Sequence, residues 1–588
     1  NEGAAPLTGG TVTFTIPIGA QFAGQTFTAT TKEPWLTVTP ASGVVAAGGT
    51  NLTATANTTG LPVGTSLGAV TITLNSPSAN NVQSHGTTIV IPTITVGLVT
   101  PVTPAPKSGP PPDALIIPAV AHADGINSKF ESDVRVSNTS PQLMKYQLTF
   151  TPSGSNGLSA GKQTTFSIDP GKTIALDDVL KGMFGTGGGS AVGTLEIRPL
   201  TQTTTSTSSA ALSGLANLVT FASSRTFNVA SNGTFGQYIP AVPYANFVGR
   251  SALLSLQQIA QSDRYRTNLG LLEGSGDPAS LLVKVFGETG QKLTEFPVTL
   301  AGGEHTQLNG FLAQHGVNSL GDGRVEIEVL SSTGKVTAYA SVLDNQTSDP
   351  LLVTPVTLTD NGASRWVVPG VADLNNGFAN WQTDMRVFNA GTTAVDATIA
   401  FYSQGGGAPK TKNITIPAGQ VRQFDKTLAS LFGVTNDGGA VHITTNGPAR
   451  LITTARTYNQ TSLGTYGQFI SAVTPSEAAG VGSRPLQILQ VEESNRFRSN
   501  IGLAEVTGKP VKIEIAVVPP DVKFTAVTEL TLQPNEFRQI GSLLKTVGLD
   551  GTFNARVTVR AIEGEGRVAA YASVIDAQTN DPTYVPAQ

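Results

Sequence analysis

One interval recurs along this chain and constrains its fold more than any other feature. The string YASVLDNQTSDP at 339–350 returns as YASVIDAQTNDP at 571–582, and RTNLGL at 266–271 returns as RSNIGL at 498–503, each 232 positions later. Two separated motifs keep one interval only if the whole unit that contains them was copied without net insertion or deletion. A chain built from copied units usually spans distance or presents surfaces, and it rarely forms one catalytic pocket.

A second set of motifs shows that two kinds of unit alternate. SSRTFN at 223–228, followed by GQYI, returns as TARTYN at 454–459, followed by GQFI. DVRVSN at 133–138 likewise returns as DMRVFN at 384–389. These copies differ from the first pair, so the order of the units is A-B-A-B.

The A and B units also share a plan. Each has an alternating polar and apolar strand near its start and, further on, apolar residues at i and i+4 followed by glycine. This spacing predicts one or two turns of helix with a glycine stop inside a strand-rich module. The i/i+4 pairs are Leu176/Leu180, Leu308/Leu312, Phe424/Leu428 and Ile540/Leu544, and the glycines are Gly182 or Gly185, Gly316, Gly433 and Gly548.

Length and composition indicate an all-β chain of several domains. A chain of 588 residues exceeds one compact domain, and short alternating runs such as TVTFTI at 11–16 are typical of antiparallel β-sandwiches. We therefore expect five tandem immunoglobulin-like β-sandwich domains. Their predicted limits are 1–97 for an N-terminal module (module N), 98–113 for a linker, 114–245 for A1, 246–358 for B1, 359–477 for A2 and 478–588 for B2.

Module N differs from the other four. It contains WLTVTPASG at 35–43 and then LPVGTSLGAVTIT at 61–73. The Trp-Leu-x-Val-x-Pro-x-Ser-Gly string, with the hairpin and alternating strand after it, resembles the BACON module of secreted bacterial proteins. That resemblance implies a small immunoglobulin-like sandwich with carbohydrate or mucin binding, or a spacer role. From the residues themselves, Trp35 is expected to fill the core between two sheets, with sugar stacking as the alternative.

The other modules resemble tandem β-sandwich modules of uncharacterised secreted bacterial proteins, which implies a setting but no activity. The linker between them and module N contains VTPVTPAPKSGPPP at 99–112. Proline at this density favours polyproline II, and such a segment can reach about 45 Å. It can therefore place module N against a neighbouring molecule.

Charge and residue usage exclude several classes of function. The net charge is −4 and Lys or Arg form no run, which disfavours nucleic-acid binding. Since no apolar stretch approaches about 18 residues, we expect no membrane span. The absence of cysteine excludes disulfides and thiolate sites, and with abundant Thr it favours an extracellular or cell-surface bacterial protein. A chain that begins at Asn1 is expected for a processed secreted protein, and sequons such as Asn138 leave glycosylation open.

Catalytic motifs are weak. GTSLG at 64–68 fits the nucleophile-elbow string, but it falls at a hairpin position rather than at a strand-to-helix turn. No acidic pair lies in a recognisable glycosidase motif. The five histidines form no ligand pair and are expected mostly on the surface or in loops: His85, His122, His305, His315 and His442. We therefore expect no enzyme and no zinc site.

Two polar motifs have a structural and a functional interpretation. DLNNG at 373–377 offers oxygen ligands for calcium but lacks the EF-hand register, so Asn and Asp turns are favoured. Asp133/Arg135 and Asp384/Arg386 lie on one face of a strand at i, i+2, and Arg225 and Arg456 lie in the other A motif. Inter-strand contacts between arginine and carboxylate are favoured over a binding site. No metal and no cofactor is predicted.

These observations leave assembly or binding as the predicted function. The first hypothesis is a structural subunit of an extracellular filament, tube or surface layer, a homo-polymer in which module N or its first strand contacts a neighbour. The strand residues are Thr11, Val12, Thr13, Phe14, Thr15 and Ile16. The alternative is a non-catalytic protein that binds surface glycans, in which module N, or Trp366 and Trp381, would stack on sugars.

Overall fold

The structure, a computed structural model, is almost entirely β. Strands make up 62% and helices 6%, in many separate antiparallel sheets, which confirms the predicted all-β class of tandem sandwiches. The residues that the structure describes are 11–31, 34–57, 64–67, 70–75, 87–89, 95–98, 109–125, 128–185, 189–200, 218–230, 233–357, 362–375, 377, 379–462, 464–520 and 525–588. Within these ranges, no helix is both long and apolar enough to cross a membrane.

Module N is a small sandwich with its own core. Its sheets have the orders β1-β5-β3 and β4-β2-β7-β8, with a ribbon β6-β9. Leu52, Ala54 and Ala56 are fully buried, and the partly buried Trp35 packs against their cluster, as expected for a core tryptophan. The strands are β1 (Thr11–Ile18), β2 (Thr26–Thr31), β3 (Leu36–Thr39), β4 (Ser42–Val44), β5 (Thr50–Asn57), β6 (Gly64–Leu67), β7 (Val70–Asn75), β8 (Thr87–Ile89) and β9 (Thr95–Leu98), with a 3-10 turn at Ala20–Phe22.

The first A-B pair follows. A1 contains β10 (Leu115–Gly125), β11 (Ser128–Asn138), β12 (Met144–Pro152), α1 (Gly157–Ala160), β13 (Lys162–Ile168), β14 (Thr173–Leu176), α2 (Val179–Phe184), β15 (Ala191–Pro199), β16 (Thr220–Ala230), β17 (Gly233–Pro240), β18 (Val242–Pro243) and a 3-10 turn at Tyr244–Asn246. B1 contains β19 (Leu253–Gln261), β20 (Tyr265–Glu273), β21 (Ala279–Phe286), β22 (Lys292–Leu300), β23 (His305–Leu308), α3 (Phe311–Gln314), β24 (Leu320–Val329), β25 (Val336–Asp344), β26 (Pro350–Val353) and β27 (Val356–Thr357).

The second A-B pair repeats this order of elements. A2 contains β28 (Ala363–Asn375), β29 (Asn380–Asn389), β30 (Val395–Ser403), β31 (Lys410–Ile416), β32 (Val421–Phe424), α4 (Thr427–Phe432), β33 (Asp437–Ala449), β34 (Leu451–Gln460) and β35 (Thr465–Ser471). B2 contains β36 (Leu486–Glu493), β37 (Phe497–Glu505), β38 (Val511–Val518), β39 (Ala526–Leu532), β40 (Phe537–Ile540), α5 (Leu543–Thr546), β41 (Thr552–Gly564), β42 (Val568–Asp576) and β43 (Pro582–Pro586).

All four modules have the same strand order. One sheet runs β13-β12-β15-β10 in A1, and the corresponding sheets are β22-β21-β24-β19, β31-β30-β33-β28 and β39-β38-β41-β36. The facing sheet runs β14-β11-β16-β17 in A1, and its counterparts are β23-β20-β25-β26, β32-β29-β34-β35 and β40-β37-β42-β43. The A and B units are therefore variants of one sandwich plan, while the domain limits themselves stay a prediction.

Alternating burial explains why these segments form half-buried strands. Along β38, Val511, Ile513, Ile515 and Val517 are fully buried, and the residues between them are partly exposed. A period of two places alternate side chains on opposite faces of a sheet, so each strand sends one face into a core. Each of the four modules has one main buried cluster of this kind.

The predicted short helices are present in all four modules as α2, α3, α4 and α5. Leu180, Leu312, Leu428 and Leu544 are each fully buried, so the helix turn plugs one end of the sandwich. Gly185 and Gly433 end α2 and α4 with positive φ angles of 59° and 65°, a conformation that favours glycine. The first apolar residue of each i/i+4 pair ends a short strand instead of beginning the helix.

The four modules close on one another, and we refer to this arrangement as the ring. Each module contacts the module before it and the module after it in sequence, and B2 returns to contact A1. A1 and B1 are joined by a hydrogen bond from Gly154 N to His305 O at 2.7 Å, and B1 and A2 by one from Thr465 N to Asp344 Oδ2 at 3.1 Å. A2 and B2 are joined by a hydrogen bond from Arg365 Nη1 to Asn535 Oδ1 at 2.9 Å. B2 and A1 are joined by one from Gln588 Nε2 to Tyr238 OH at 2.9 Å. The expectation that the duplication provides length is therefore wrong: the repeats pack into a closed body.

Candidate functional site

The repeated motifs found in the sequence bind each other through buried polar groups at two junctions of the ring. At the A2–B1 junction, the last strand of A2 meets the DNQTSDP turn of B1. Asp344 Oδ2 accepts hydrogen bonds from Thr465 N at 3.1 Å and Thr465 Oγ1 at 3.0 Å. Asp349 Oδ2 accepts one from Gly467 N at 3.0 Å. Two carboxylates of one turn therefore bind the backbone of the neighbouring module's strand.

The A1–B2 junction repeats this geometry with different residues. Asp576 Oδ2 accepts hydrogen bonds from Thr234 N and Thr234 Oγ1, both at 3.0 Å. Asp581 Oδ2 accepts one from Gly236 N at 3.1 Å. The equivalence of the two junctions relates the two A-B pairs by a pseudo-two-fold axis. The A1–B2 junction is also the contact that closes the ring.

A buried arginine backs each junction. Arg456 Nη2 donates to Thr465 Oγ1 at 2.6 Å, and Arg225 Nη2 donates to Thr234 Oγ1 at 2.7 Å. Each guanidinium also lies over an aromatic ring of the partner module, with Arg456 Cζ 5.4 Å from the Tyr265 centroid and Arg225 Cζ 4.7 Å from the Phe497 centroid. Arginine suits this position because its planar group can stack on a ring and still donate hydrogen bonds.

Within each pair of aspartates, one pKa rises and the other falls. Burial raises the pKa of Asp349 to about 7, although Gly467 N and Arg456 oppose the change. Burial also raises the pKa of Asp581, and the nearby Asp349 carboxylate adds to that effect. For Asp344, burial acts in the same direction, but hydrogen bonds from Gln346, Thr465 and Thr347 outweigh it and lower the pKa. Asp576 has a lowered pKa for the same reason, through bonds from Thr579, Gln578 and Thr234.

The two junctions meet at the centre of the ring. Phe235 of A1 stacks on Tyr466 of A2 with ring centroids 5.5 Å apart and planes inclined by 15°. The Asp349 carboxylate also raises the pKa of Asp581. The Oδ1 atoms of both residues are buried and have no hydrogen-bond partner in the described part of the chain. The aromatic pair therefore joins the two junctions where two buried carboxyl groups with raised pKa values lie.

A cavity of about 960 Å³ lies between the modules, and all four contribute to its wall. Tyr238, Leu351, Phe469 and Tyr584 line it from A1, B1, A2 and B2. Its volume is in the range of small-molecule sites. The described residues that line it include many prolines and aliphatic side chains, several tyrosines and the charged residues Arg450 and Glu477, but no histidine or aspartate.

Buried glutamates that the sequence analysis did not single out fasten the loops of the B modules. Glu273 accepts hydrogen bonds from the backbone of Ser275, Gly276, Gly303 and Lys335 at 2.7 to 3.1 Å. Its copy 232 positions later, Glu505, makes the same kinds of bonds with Thr507, Gly508 and Asn535. The constant interval could have identified this pair in the sequence. Their partners are backbone N–H groups, so their role is structural.

One cluster of metal-binding side-chain types lies in A1. His122, Glu131 and Asp178 each bring one ligand atom to within 4.8 Å of the others. His122 Nδ1 lies 2.8 Å from Asp178 Oδ1, and Glu131 Oε1 lies 2.6 Å from Lys129 Nζ. No metal site was expected at these three residues, because they are too far apart in sequence to form a recognised motif.

The predicted assembly strand belongs to module N itself. Thr11, Val12, Thr13, Phe14, Thr15 and Ile16 all lie in β1, which pairs antiparallel with β5 from Thr11↔Asn57 to Ile18↔Thr50. Ile16 is 4% exposed and forms part of the core of module N. Since β1 ends its sheet, its other edge has no strand partner in the described part of the chain.

The two tryptophans of the sugar-binding alternative lie in different surroundings. Trp366 is 4% exposed, belongs to the core of A2 and lines the central cavity, so it is not available to a sugar at the surface. Stacking of a glycan on Trp366 stays a prediction. Trp381 is half-buried in β29, where it pairs with Leu374 and Asn459.

The expectation of surface histidines is wrong for two of the five. His305 is fully buried between A1 and B1, where Nε2 lies 3.1 Å from Tyr339 OH and Nδ1 lies 3.1 Å from Ser153 Oγ. Burial lowers the pKa of His305 to about 4. Burial, helped by Arg365, lowers the pKa of His442 to about 3. His85 lies outside the described residues.

The polar strand motifs of the A modules make structural contacts. Arg135 Nη1 binds Asp177 Oδ1 at 2.7 Å, and Arg386 Nη2 binds Asp425 Oδ1 at 2.6 Å, which joins neighbouring strand ends as expected. In the predicted turn at 373–377, Asn375 Oδ1 accepts a hydrogen bond from Gly377 N at 3.1 Å, the bond expected of an Asn turn. The described part of GTSLG, residues 64–67, forms β6, which pairs with β9 rather than with the next strand in sequence.

Comparison with known proteins adds little. No protein-family model and no curated protein matches the chain. Among solved structures, the chain is 10% identical to tripeptidyl peptidase 2 over 78% of this chain and 38% of that one, with a TM-score of 0.12. It is 9% identical to the α-L-rhamnosidase of Streptomyces avermitilis in complex with L-rhamnose, over 75% of this chain and 55% of that one, with a TM-score of 0.10. The chain thus spans less than two thirds of either protein, and likenesses this weak carry no argument.

Proposed function

We propose that this protein is a non-catalytic structural subunit of an extracellular assembly, in which module N contacts a neighbouring copy through the free edge of β1. The ring forms the body of the subunit and module N forms its connecting arm. The polar residues kept in both copies of the repeat support this division. Asp344, Asp349, Thr465 and Gly467, with their counterparts in the other junction, bind other modules of the same chain. Because these residues make contacts inside the body of the subunit, they are not free to bind a substrate.

The charge pattern of the sheet edges carries the proposal. In the ring, each of the four corresponding edge strands β13, β22, β31 and β39 carries exposed charge, at Lys162, at Lys292 and Glu295, at Lys410 and Lys412, and at Glu529. Charge on an edge strand opposes pairing with another molecule. The edge strand β1, TVTFTIPI, has no charged residue. Among the edge strands of module N it is also the longest, with eight residues against four in β3 and three each in β4 and β8, which suits it to add a strand from a neighbour.

A matched pair of lysine substitutions tests the proposal. Thr15 lies on the edge strand, and its cross-strand partner Thr53 lies on the central strand β5; both side chains are exposed. Thr15→Lys places charge at the edge and is expected to reduce the assembled fraction at least about tenfold, because a charged edge strand opposes pairing with another molecule. Thr53→Lys adds the same charge to the same face, one strand inward, and is expected to leave assembly unchanged.

The assembled fraction is measured by sedimentation velocity and checked by negative-stain electron microscopy. If both variants lost assembly equally, the contact between copies would lie on the face of the sheet and not at the edge of β1. Wild-type protein that sediments only as a monomer over the accessible concentration range would overturn the proposal. If that monomer bound a defined glycan on an array, and Trp381→Ala abolished the binding, the carbohydrate-binding alternative would take its place.

A further inference from the structure

The cluster of His122, Glu131 and Asp178 in A1 can be compared with the corresponding positions in A2. In A1, the hairpin register Ala123↔Phe130 and Asp124↔Lys129 places His122 directly opposite Glu131 on the adjacent strand. Asp178 comes from a third element, the residue that precedes α2. Three separate segments of the chain thus bring one ligand atom each to a common point.

Asp178 is held in place by its backbone. Its φ angle is 41°, in the left-handed region, and its N–H donates to Asp133 Oδ1 at 2.9 Å. The side chains of His122 and Asp178 are 13% and 18% exposed, and that of Glu131 is 21% exposed. A site half-enclosed in this way keeps its ligands oriented while leaving one side open to solvent.

The donor set suits a divalent transition metal. One imidazole nitrogen and two carboxylate oxygens are borderline ligands of the kind that bind Zn²⁺, with a remaining position for water. Zinc bonds of about 2.0–2.2 Å place tetrahedral ligand atoms roughly 3.4 Å apart, so atoms already within 4.8 Å need only small side-chain shifts. Lys129 forms an ion pair with Glu131, but the lysine side chain is 46% exposed and can turn into solvent.

The second A module has the same backbone without the ligands. Lys426 corresponds to Asp178: its φ angle is 47°, and its N–H donates to Asp384 Oδ1 at 2.8 Å. The register Leu374↔Trp381 continues to Asp373 opposite Gln382, the counterparts of His122 and Glu131. A2 therefore carries an amide and an ammonium group where A1 carries two carboxylates.

We propose that His122, Glu131 and Asp178 form a Zn²⁺-type metal site that is specific to A1 and fastens the β10–β11 hairpin to the start of α2. The role is structural, because three protein ligands join two elements of one sandwich. Binding of the metal would replace the hydrogen bond between His122 and Asp178 and would displace Lys129 from Glu131. The site is independent of any assembly through β1.

Zn²⁺ titration of tag-free, full-length protein tests the proposal by isothermal calorimetry and by metal content after gel filtration. We expect one Zn²⁺ per chain and a rise in thermal midpoint on addition of Zn²⁺. Asp178→Lys copies the residue that A2 already accommodates at this backbone position, and it is expected to weaken binding at least about 100-fold. Glu131→Gln, which copies Gln382, serves as a second loss variant.

The reverse exchange provides a gain-of-site control. Asp373→His, Gln382→Glu and Lys426→Asp together give A2 the ligands of A1, and the stoichiometry is expected to rise from one to two. Wild-type protein that binds no Zn²⁺, or binding that survives both Asp178→Lys and Glu131→Gln, would overturn the proposal. A binding loss in these variants with unchanged far-UV circular dichroism would confirm that the ligands, and not the fold, were removed.

Discussion

The A2–B1 and A1–B2 junctions are built from the same motifs but differ in the aromatic residue of the B module that faces the buried arginine. In the A2–B1 junction, Tyr265 OH accepts a hydrogen bond from Arg456 Nη1 at 3.2 Å. The corresponding residue in the A1–B2 junction is Phe497, which offers Arg225 only its ring. Burial lowers the pKa of Arg225 despite nearby aspartates. Burial acts likewise on Arg456, but Tyr265 and its acidic neighbours outweigh it and raise the pKa.

The less satisfied junction is the one that closes the ring. B1 and A2 are joined by a short segment of chain, whereas A1 and B2 are separated by the two modules between them, so closure costs more chain entropy. Additional contacts offset this at A1–B2: Gln490 Nε2 donates to Asp133 O and Ser223 Oγ, both at 3.2 Å, and Gln588 Nε2 donates to Ala222 O at 3.1 Å. Closure of the ring thus depends on additional hydrogen bonds around an arginine that lacks the tyrosine hydroxyl of the other junction.

Removal of either arginine is expected to have the largest effect. Arg225→Ala and Arg456→Ala each remove a buried guanidinium, its hydrogen bond to a threonine hydroxyl and its stacking on an aromatic ring of the partner module. These losses are expected to cost about 2–4 kcal/mol. The free energy of unfolding is measured by urea titration. Because Arg225 lies at the closing junction, its loss is also expected to separate the unfolding of A1 from that of the other modules. Limited proteolysis would then cut A1 first.

A matched comparison decides whether closure matters. Arg456→Ala removes the same group from the junction whose modules remain joined by a short chain segment, so its unfolding is expected to stay in one step. If both variants lose less than about 1 kcal/mol, the arginines do not stabilise the junctions. If both lose the same amount and unfold alike, the ring does not depend on its closing contact.

Asp349 is expected to contribute a pH dependence to stability. Burial raises its pKa to about 7 in the folded chain, above the value near 4 of an unfolded chain. Between these values Asp349 binds more protons in the folded state, so its contribution to the free energy of unfolding falls as pH rises, by up to about 1.4 kcal/mol per pH unit. Buried His305 and His442 act in the opposite direction, so the measured quantity is the difference in free energy of unfolding between wild type and Asp349→Asn, which is expected to fall between about pH 4 and 7 in urea titrations.

Asp344→Asn is the control of opposite sign. Hydrogen bonds lower the pKa of Asp344 in the folded chain, so its contribution to stability is present above the unfolded pKa and is lost as pH falls through the folded one. Its replacement should change the pH dependence only below about pH 4. If wild type and Asp349→Asn show the same pH dependence between pH 4 and 7, then Asp349 does not make the expected contribution.

The sequence predicted the local structure of the modules well. Alternating residues such as Val511 and Ile513 set the strands, and the apolar spacing at Leu176/Leu180 together with the glycine stops located the short helices. Both signals depend on neighbours in sequence, so periodicity and turn chemistry are enough to detect them. The A-B-A-B order followed from the motif interval alone.

The sequence did not predict how the modules meet. Asp576 binds Thr234 across 342 positions, and no local pattern specifies which of four similar surfaces lie together. The clue was that the repeated motifs keep Asp and Thr, which bind backbone groups, besides core residues. The His122 cluster was missed for a related reason: Asp178 reaches it only through the left-handed turn before α2.

Exchange of the two aromatic residues is the mildest way to sharpen the comparison between the junctions. Tyr265→Phe removes the hydroxyl that accepts from Arg456 and is expected to cost about 0.5–1.5 kcal/mol in urea titrations. Phe497→Tyr offers Arg225 the same acceptor and is expected to recover a similar amount at the closing junction. The double exchange should then leave stability near that of the wild type, because each junction takes on the polar content of the other. If Phe497→Tyr destabilises the chain while Tyr265→Phe is neutral, then the hydroxyl does not explain the difference between the junctions, and the stacking of arginine on the ring is what each of them requires.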